Sequence, residues 1–130
     1  MKILGIDYGR KKIGLATATS ILAEPYQVVR YETIGEAIKK IRQVVEKEEI
    51  KKIVIGISEG QMGEETKRFA KILGKELGVT PEFQDESLSS FDARTLSIQA
   101  GTQRKKRREF EDAYAAAIML QSYLESSSRQ

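Results

Sequence analysis

The sequence predicts a single α/β domain built on a mixed sheet, antiparallel at its start and parallel in its continuation. Two nearly continuous apolar runs, KILGID at 2–7 and KIVIGI at 52–57, read as strands buried on both faces. The first three strand-like runs are joined by short turns, as antiparallel neighbours are, whereas helical periodicity separates the later ones, as in parallel crossover units. The 130 residues carry no internal repeat or linker. A domain of this size buries roughly two-thirds of its unfolded surface, enough for a core without disulfide or metal staples.

The opening run ends at Asp7 and is expected to be the central strand. A turn containing Gly9 leads into a second strand over 13–18, where the larger Ile13, Leu15 and Thr17 alternate with the small Gly14, Ala16 and Ala18. Weaker alternation in YQVVRYE at 26–32 predicts an outer strand. Thr33 with Glu36 three residues on reads as a capping box, and Ile34, Ile38, Ile41 and Val45 give the helix an apolar face. After the second buried strand, a helix is expected beyond Gly63, with Phe69, Ile72, Leu73 and Leu77 on one face and Gly78 as its stop. Residues 81–86 read as a short fifth strand, since Pro81 is tolerable at a strand start. A shorter helix is expected from Ser89 or Ser90 to Gly101. The last helix should start within 107–109, with a core stripe of Phe110, Ala113, Ala117, Leu120 and Leu124. The domain then spans 1–126, and 127–130 form a frayed tail.

Composition narrows the chemistry. The chain has no Cys, His or Trp, which removes thiol nucleophiles, thiolate or imidazole metal sites and every His-based catalytic arrangement. Catalysis must rest on carboxylates, hydroxyls, Lys, Arg or a metal ion held by oxygen. No apolar stretch approaches a membrane span and the N-terminus enters a strand at once, so a cytoplasmic protein without a membrane partner is expected.

The net charge of +3 is local. Without the five consecutive cations Arg104, Lys105, Lys106, Arg107 and Arg108, 17 Lys and Arg face 19 Asp and Glu, a net of −2; without Arg10, Lys11 and Lys12 as well, 14 face 19, a net of −5. A basic run is most often a solvated loop. Two of them bracketing candidate active-site acids are the footprint of a polyanion.

In a parallel sheet, ligands gather outside the carboxyl ends of the strands, where Asp7, Glu59 and the pair Asp85–Glu86 all fall. Asp112 opens the last helix, where the dipole favours a carboxylate. Each acid alone reads equally as a strand end, a turn or a first-turn helix residue. Together they suggest one acidic site, whose mutual repulsion a magnesium or manganese ion would relieve. Two such ions about 4 Å apart can activate water and stabilise the leaving oxygen of a phosphodiester without any His.

These residues resemble the YqgF family, also called RuvX, described as Holliday junction resolvases and as nucleases that process the 5′ end of pre-16S ribosomal RNA. The likeness spans nearly the whole chain: GIDYGRKKIGLA at 5–16, VIG at 54–56, DESLSS at 85–90 and EDAYAAAIMLQSYL at 111–124. It implies a ribonuclease H-like fold with strand order 3-2-1-4-5, and it matches Asp7, Asp85, Glu86 and Asp112 to the family's catalytic acids. Along the strand, alternation sets Asp85 on the side of Phe83 and Glu86 on the other, which leaves open which of them faces a metal. Ser58 and Glu59 replace the Pro-containing loop usual in the family, and Leu88 and Ser90 stand where Arg and Thr are common. Glu59 is accordingly a candidate further ligand. The resemblance implies structured RNA or branched DNA as partner, gripped by the two basic runs. The alternatives are a junction resolvase and a non-catalytic nucleic-acid-binding assembly factor. DYG before a second strand also begins the phosphate hairpin of actin-like and sugar-kinase-like ATPases, but those close two such domains over a nucleotide and only one is readable here.

Overall fold

The computed structural model describes residues 1–85 and 110–128. Its five strands are β1 (Ile3–Asp7), β2 (Lys12–Ala18), β3 (Ala23–Arg30), β4 (Lys52–Ile57) and β5 (Glu82–Asp85), with helices α1 (Ile34–Lys47), α2 (Gln61–Leu77) and α3 (Glu111–Ser128). The expected helix between residues 89 and 101 lies outside the described residues. The sheet runs β3-β2-β1-β4-β5, so the ribonuclease H-like order is present. β1 is its centre, antiparallel to β2 and parallel to β4, while β3 is antiparallel to β2 and β5 parallel to β4. No described helix is long and apolar enough to cross a membrane.

Alternation along the strands divides two cores. Leu4, Ile6, Ile13, Leu15, Ile53 and Ile55 face α1 and α2, meeting Ile38, Ile41, Val44, Phe69 and Leu73. On the other face Ile3, Ala16, Ala18 and Val54 meet Ala116, Ala117, Met119 and Leu120 of α3. Small residues dominate this second seam, so the helix lies close to the sheet. A Cβ on Gly5 would come within 2.9 Å of the Leu120 Cβ, and one on Gly14 within 1.9 Å of the Asp112 carbonyl oxygen.

Several expected boundaries move. β3 begins at Ala23, three residues early, because a register shift between Leu15 and Ala16 carries the pairing on to Pro25 and Ala23 despite the irregular pattern. α1 is capped as expected by Thr33, whose Oγ1 accepts from the Glu36 N–H at 3.2 Å, but Glu36 returns a contact to the Glu32 N–H instead of that of Thr33. α2 starts at Gln61 after Gly60, so Gly63 lies inside its first turn; a Cβ there would stand 2.2 Å from the Ser58 carbonyl oxygen. Ile72 turns away from the core at 45% exposure, and the buried stripe is Thr66, Phe69, Ala70 and Leu73. Gly78 stops the helix in the left-handed conformation as expected. The last helix opens at Glu111, beyond the expected window, and Phe110 precedes it, exposed, its carbonyl accepting from the Tyr114 N–H.

Candidate active site

Asp7 closes the central strand. It stands on the α3 face, in alternation with Ile3 and Gly5, and its ladder partners on both sides are glycines, Gly14 on β2 and Gly56 on β4. The space above Gly14 is filled by the backbone of Asp112 and Ala113, which brings the first turn of α3 beside Asp7, about one strand spacing or 5 Å across the sheet. Gly14 thus lets the two acids share a face.

Lys12 joins them. Two residues before Gly14 it shares that face, and its Nζ lies 3.3 Å from Asp112 Oδ2. Asp112 is partly buried, so its charge is balanced by one ammonium and by the amino end of α3, whose first turn also carries Glu111.

The other predicted acids are placed differently. Asp85 ends β5 opposite Ile57, two strands from Asp7, and with Phe83 opposite Ile55 it belongs to the α2 face. Glu59 is exposed in the bend between β4 and α2. Glu86 lies outside the described residues. Among the described residues no three acidic side chains converge on one point. The structure therefore brings Asp7 and Asp112 together and sets Asp85 apart.

The first basic run is also more committed than its composition suggests. The Nε of Arg10 donates to Glu65 of α2 at 3.1 and 3.0 Å, and this pairing holds the Glu65 carboxyl below its ordinary range and raises the guanidinium. Lys12 is engaged by Asp112. Lys11 is exposed, with no ion pair among the described residues. The second run, Arg104, Lys105, Lys106, Arg107 and Arg108, lies outside the described residues.

Beneath the turn, the Tyr8 ring packs on Phe69 with centroids 4.8 Å apart, and the Tyr31 hydroxyl donates to the Gly9 carbonyl oxygen. Burial, reinforced by a hydrogen bond with Tyr8, pushes the Tyr31 phenol well above its usual value, so it remains a neutral donor. Gly9 is required by the turn itself, since a Cβ would meet the Lys12 carbonyl oxygen at 2.5 Å. Sequence reasoning missed Gly14, Glu65 and Tyr31 as parts of this site. The small-residue alternation of β2 was a signal for the first; nothing local points to Glu65, 55 positions from Arg10.

Two carboxylates on one face, a lysine paired with one of them, and oxygen as the only ligand chemistry suit a hard divalent cation and a phosphate. A family model described as "Holliday junction resolvase", RuvX, matches residues 1–126. A protein of Carboxydothermus hydrogenoformans named "Putative pre-16S rRNA nuclease" is 33% identical, over 99% of this chain and 99% of its own length. One of Halothermothrix orenii with the same name is 34% identical, over 95% and 94%. Among solved structures, Thermus thermophilus RuvC in complex with a Holliday junction substrate superposes with a TM-score of 0.66 at 14% identity, covering 98% of this chain and 96% of RuvC. The fowlpox virus Holliday junction resolvase gives 0.64 at 11%, covering 98% and 99%. At these identities the two structures speak for the fold alone.

Proposed function

Because the chain belongs to the RuvX family, we propose that it is a divalent-metal-dependent nuclease that hydrolyses phosphodiester bonds in the cytoplasm, processing the 5′ end of pre-16S ribosomal RNA. Residues 1–126 act as its single catalytic domain. The observation that carries this reading is the pairing of Asp7, at the end of the central strand, with Asp112, held beside it by the contact over Gly14. The substrate is drawn from the names of the full-length relatives.

The donor set fits magnesium or manganese: carboxylates only, two of them on one face, one already balanced by the Lys12 ammonium. Asp7 and Asp112 would hold the metal, as one ion or a pair. Between the acidic pair, Glu86 is taken as the further ligand, because Asp85 stands on the α2 face, away from Asp7 and Asp112. Glu59, exposed in the bend after β4, is kept as a further candidate ligand. Bound there, the metal supplies an activated water and neutralises the charge that develops on the leaving oxygen. The chain's own part is orientation. The rigid strand fixes Asp7, the helix fixes Asp112, and Lys12, released from Asp112 when the carboxylate is otherwise balanced, would turn to the phosphate. Lys11 and the run at 104–108 would hold the flanking backbone, and Arg10 would join them only when it leaves Glu65.

The test incubates purified protein with labelled pre-16S fragments and with four-way DNA junctions, with and without magnesium or manganese. Metal-dependent shortening of the RNA is expected. Cleavage of the junction alone would move the substrate to branched DNA, and binding of either without cleavage would leave a non-catalytic assembly factor.

A further inference from the structure

β3 is an edge strand, and between it and α1 runs an open groove of about 500 Å³ lined by Tyr26, Gln27, Arg30, Lys40, Gln43 and Lys47, with Val28, Val29 and Val44 in its floor and walls. Among the described residues no carboxylate lines it, although Glu36 pairs with its Lys40 and Glu48 accepts from the hydroxyl of its Tyr26. Lys40 donates to the Arg30 carbonyl oxygen at 2.8 Å and pairs with Glu36 at 3.1 Å, whereas Arg30 and Lys47 have no ion pair among the described residues. Chain direction ties the groove to the acids. Arg30 is the ladder partner of Lys12, so the groove opens at the same end of the sheet as Asp7 and Asp112. From there α1 runs back toward the start of β4, with Lys40 near the opening and Lys47 about 10 Å farther along the axis, the rise of about three stacked nucleotides.

We infer that this groove is a second binding site, which takes the sugar-phosphate backbone of the RNA strand flanking the bond cut at the acidic site. The inference rests on the nuclease reading for its substrate but not for its binding measurement. Lys47 on α1 and Arg30, which alternation sets on the α3 face at the open edge of β3, are the lining cations without an ion pair among the described residues and are complementary to phosphate, and the part-buried Tyr26 ring lines the groove between them. The other occupant an edge strand invites is a peptide strand. Pro25 within β3, its bulged pairing with β2 and the flanking cations all oppose that mode.

The experiment measures anisotropy of a short unstructured labelled RNA in EDTA, across a salt series, for wild type and Arg30→Ala/Lys47→Ala. Loss of two phosphate contacts should weaken binding and reduce the slope of log K on log salt by about 1.4, at about 0.7 per contact for single strands. Photo-crosslinking from a thiouridine in the RNA should label Tyr26 or Gln27. An unchanged slope with no label in β3 or α1 overturns the inference even if the protein cuts RNA. A reduced slope in a protein that cuts nothing keeps the groove and removes the nuclease reading.

Discussion

At the scale of single residues, Asp7 is proposed to carry the most chemistry and should carry little of the fold. It is partly exposed at a strand end, between two glycines. Asp7→Asn keeps the shape and removes the charge, so metal-dependent cleavage should be lost, while RNA binding holds or tightens and the melting temperature without metal stays level or rises. Single-turnover cleavage and thermal melting check both halves; a variant that cuts at the wild-type rate removes Asp7 from the mechanism. Gly14 is the converse case, a residue without chemistry that places chemistry. Its missing Cβ is occupied by backbone, 1.9 Å from the Asp112 carbonyl oxygen, and backbone cannot swing aside as a side chain can. Gly14→Ala should therefore push the start of α3 outward, costing about 1–3 kcal/mol as an overpacking change and separating Asp112 from Asp7. Denaturant melts give the first effect, and calorimetric titration with manganese, expected to weaken, gives the second.

Among the elements, the turn from β1 to β2 is held by the parts around it. Tyr31 reaches Gly9, Tyr8 lies on Phe69, and Arg10 is clasped by Glu65. A cation clasped by a carboxylate is a poor counterion for phosphate, so Glu65→Ala should free Arg10 and steepen the salt dependence of RNA binding by up to about 0.7–0.9 in log–log slope, while Arg10→Ala should not steepen it. Equal slopes in wild type and Glu65→Ala would show that Arg10 takes no part. The elements also mark what a sequence discloses. β4 has the bounds its apolar run predicted, since a continuous run flanked by Lys and Ser leaves little choice. β3 does not, because Ala23 and Pro25 enter the ladder only through a bulge, a tertiary event without a local pattern. Gly63 read as a boundary because glycine breaks helices, yet here it permits a close approach to the Ser58 carbonyl oxygen from inside α2. In the site, Asp7 and Asp112 were legible from their positions at a strand end and a helix start. The pairings Lys12–Asp112 and Arg10–Glu65 were not, since they depend on which faces the folded sheet turns toward its helices.

Over the whole molecule, Glu48, Glu65 and Glu82 are among the described carboxylates that tie distant parts of the chain, and the three shape its response to acid. Glu48, after α1, pairs with Lys2 ahead of β1 and accepts from Tyr26; Glu65 joins α2 to the turn; Glu82 of β5 accepts from Tyr123 of α3 at 2.7 Å and pairs with Lys52 of β4 at 3.0 Å. Each is held below the ordinary carboxylate range, first by its hydrogen-bonding partner: Lys2 for Glu48, Arg10 for Glu65, Tyr123 for Glu82. A carboxyl with a lower pKa folded than unfolded binds its proton more readily in the unfolded chain. The stability it gives is complete above the unfolded value, about 4.3 for Glu, and is lost as pH falls through the lower folded value. Thermal stability should accordingly be level near neutrality and fall below about pH 4. These pairs are solvent-accessible, so high salt should shrink the fall by screening. Glu82→Gln should shrink it too, because that side chain no longer titrates, while its amide oxygen can still accept from Tyr123. Melting curves at several pH values, in low and high salt, decide the matter: a melting temperature that rises between pH 5 and pH 3 would mean that these three ties do not govern the response to acid.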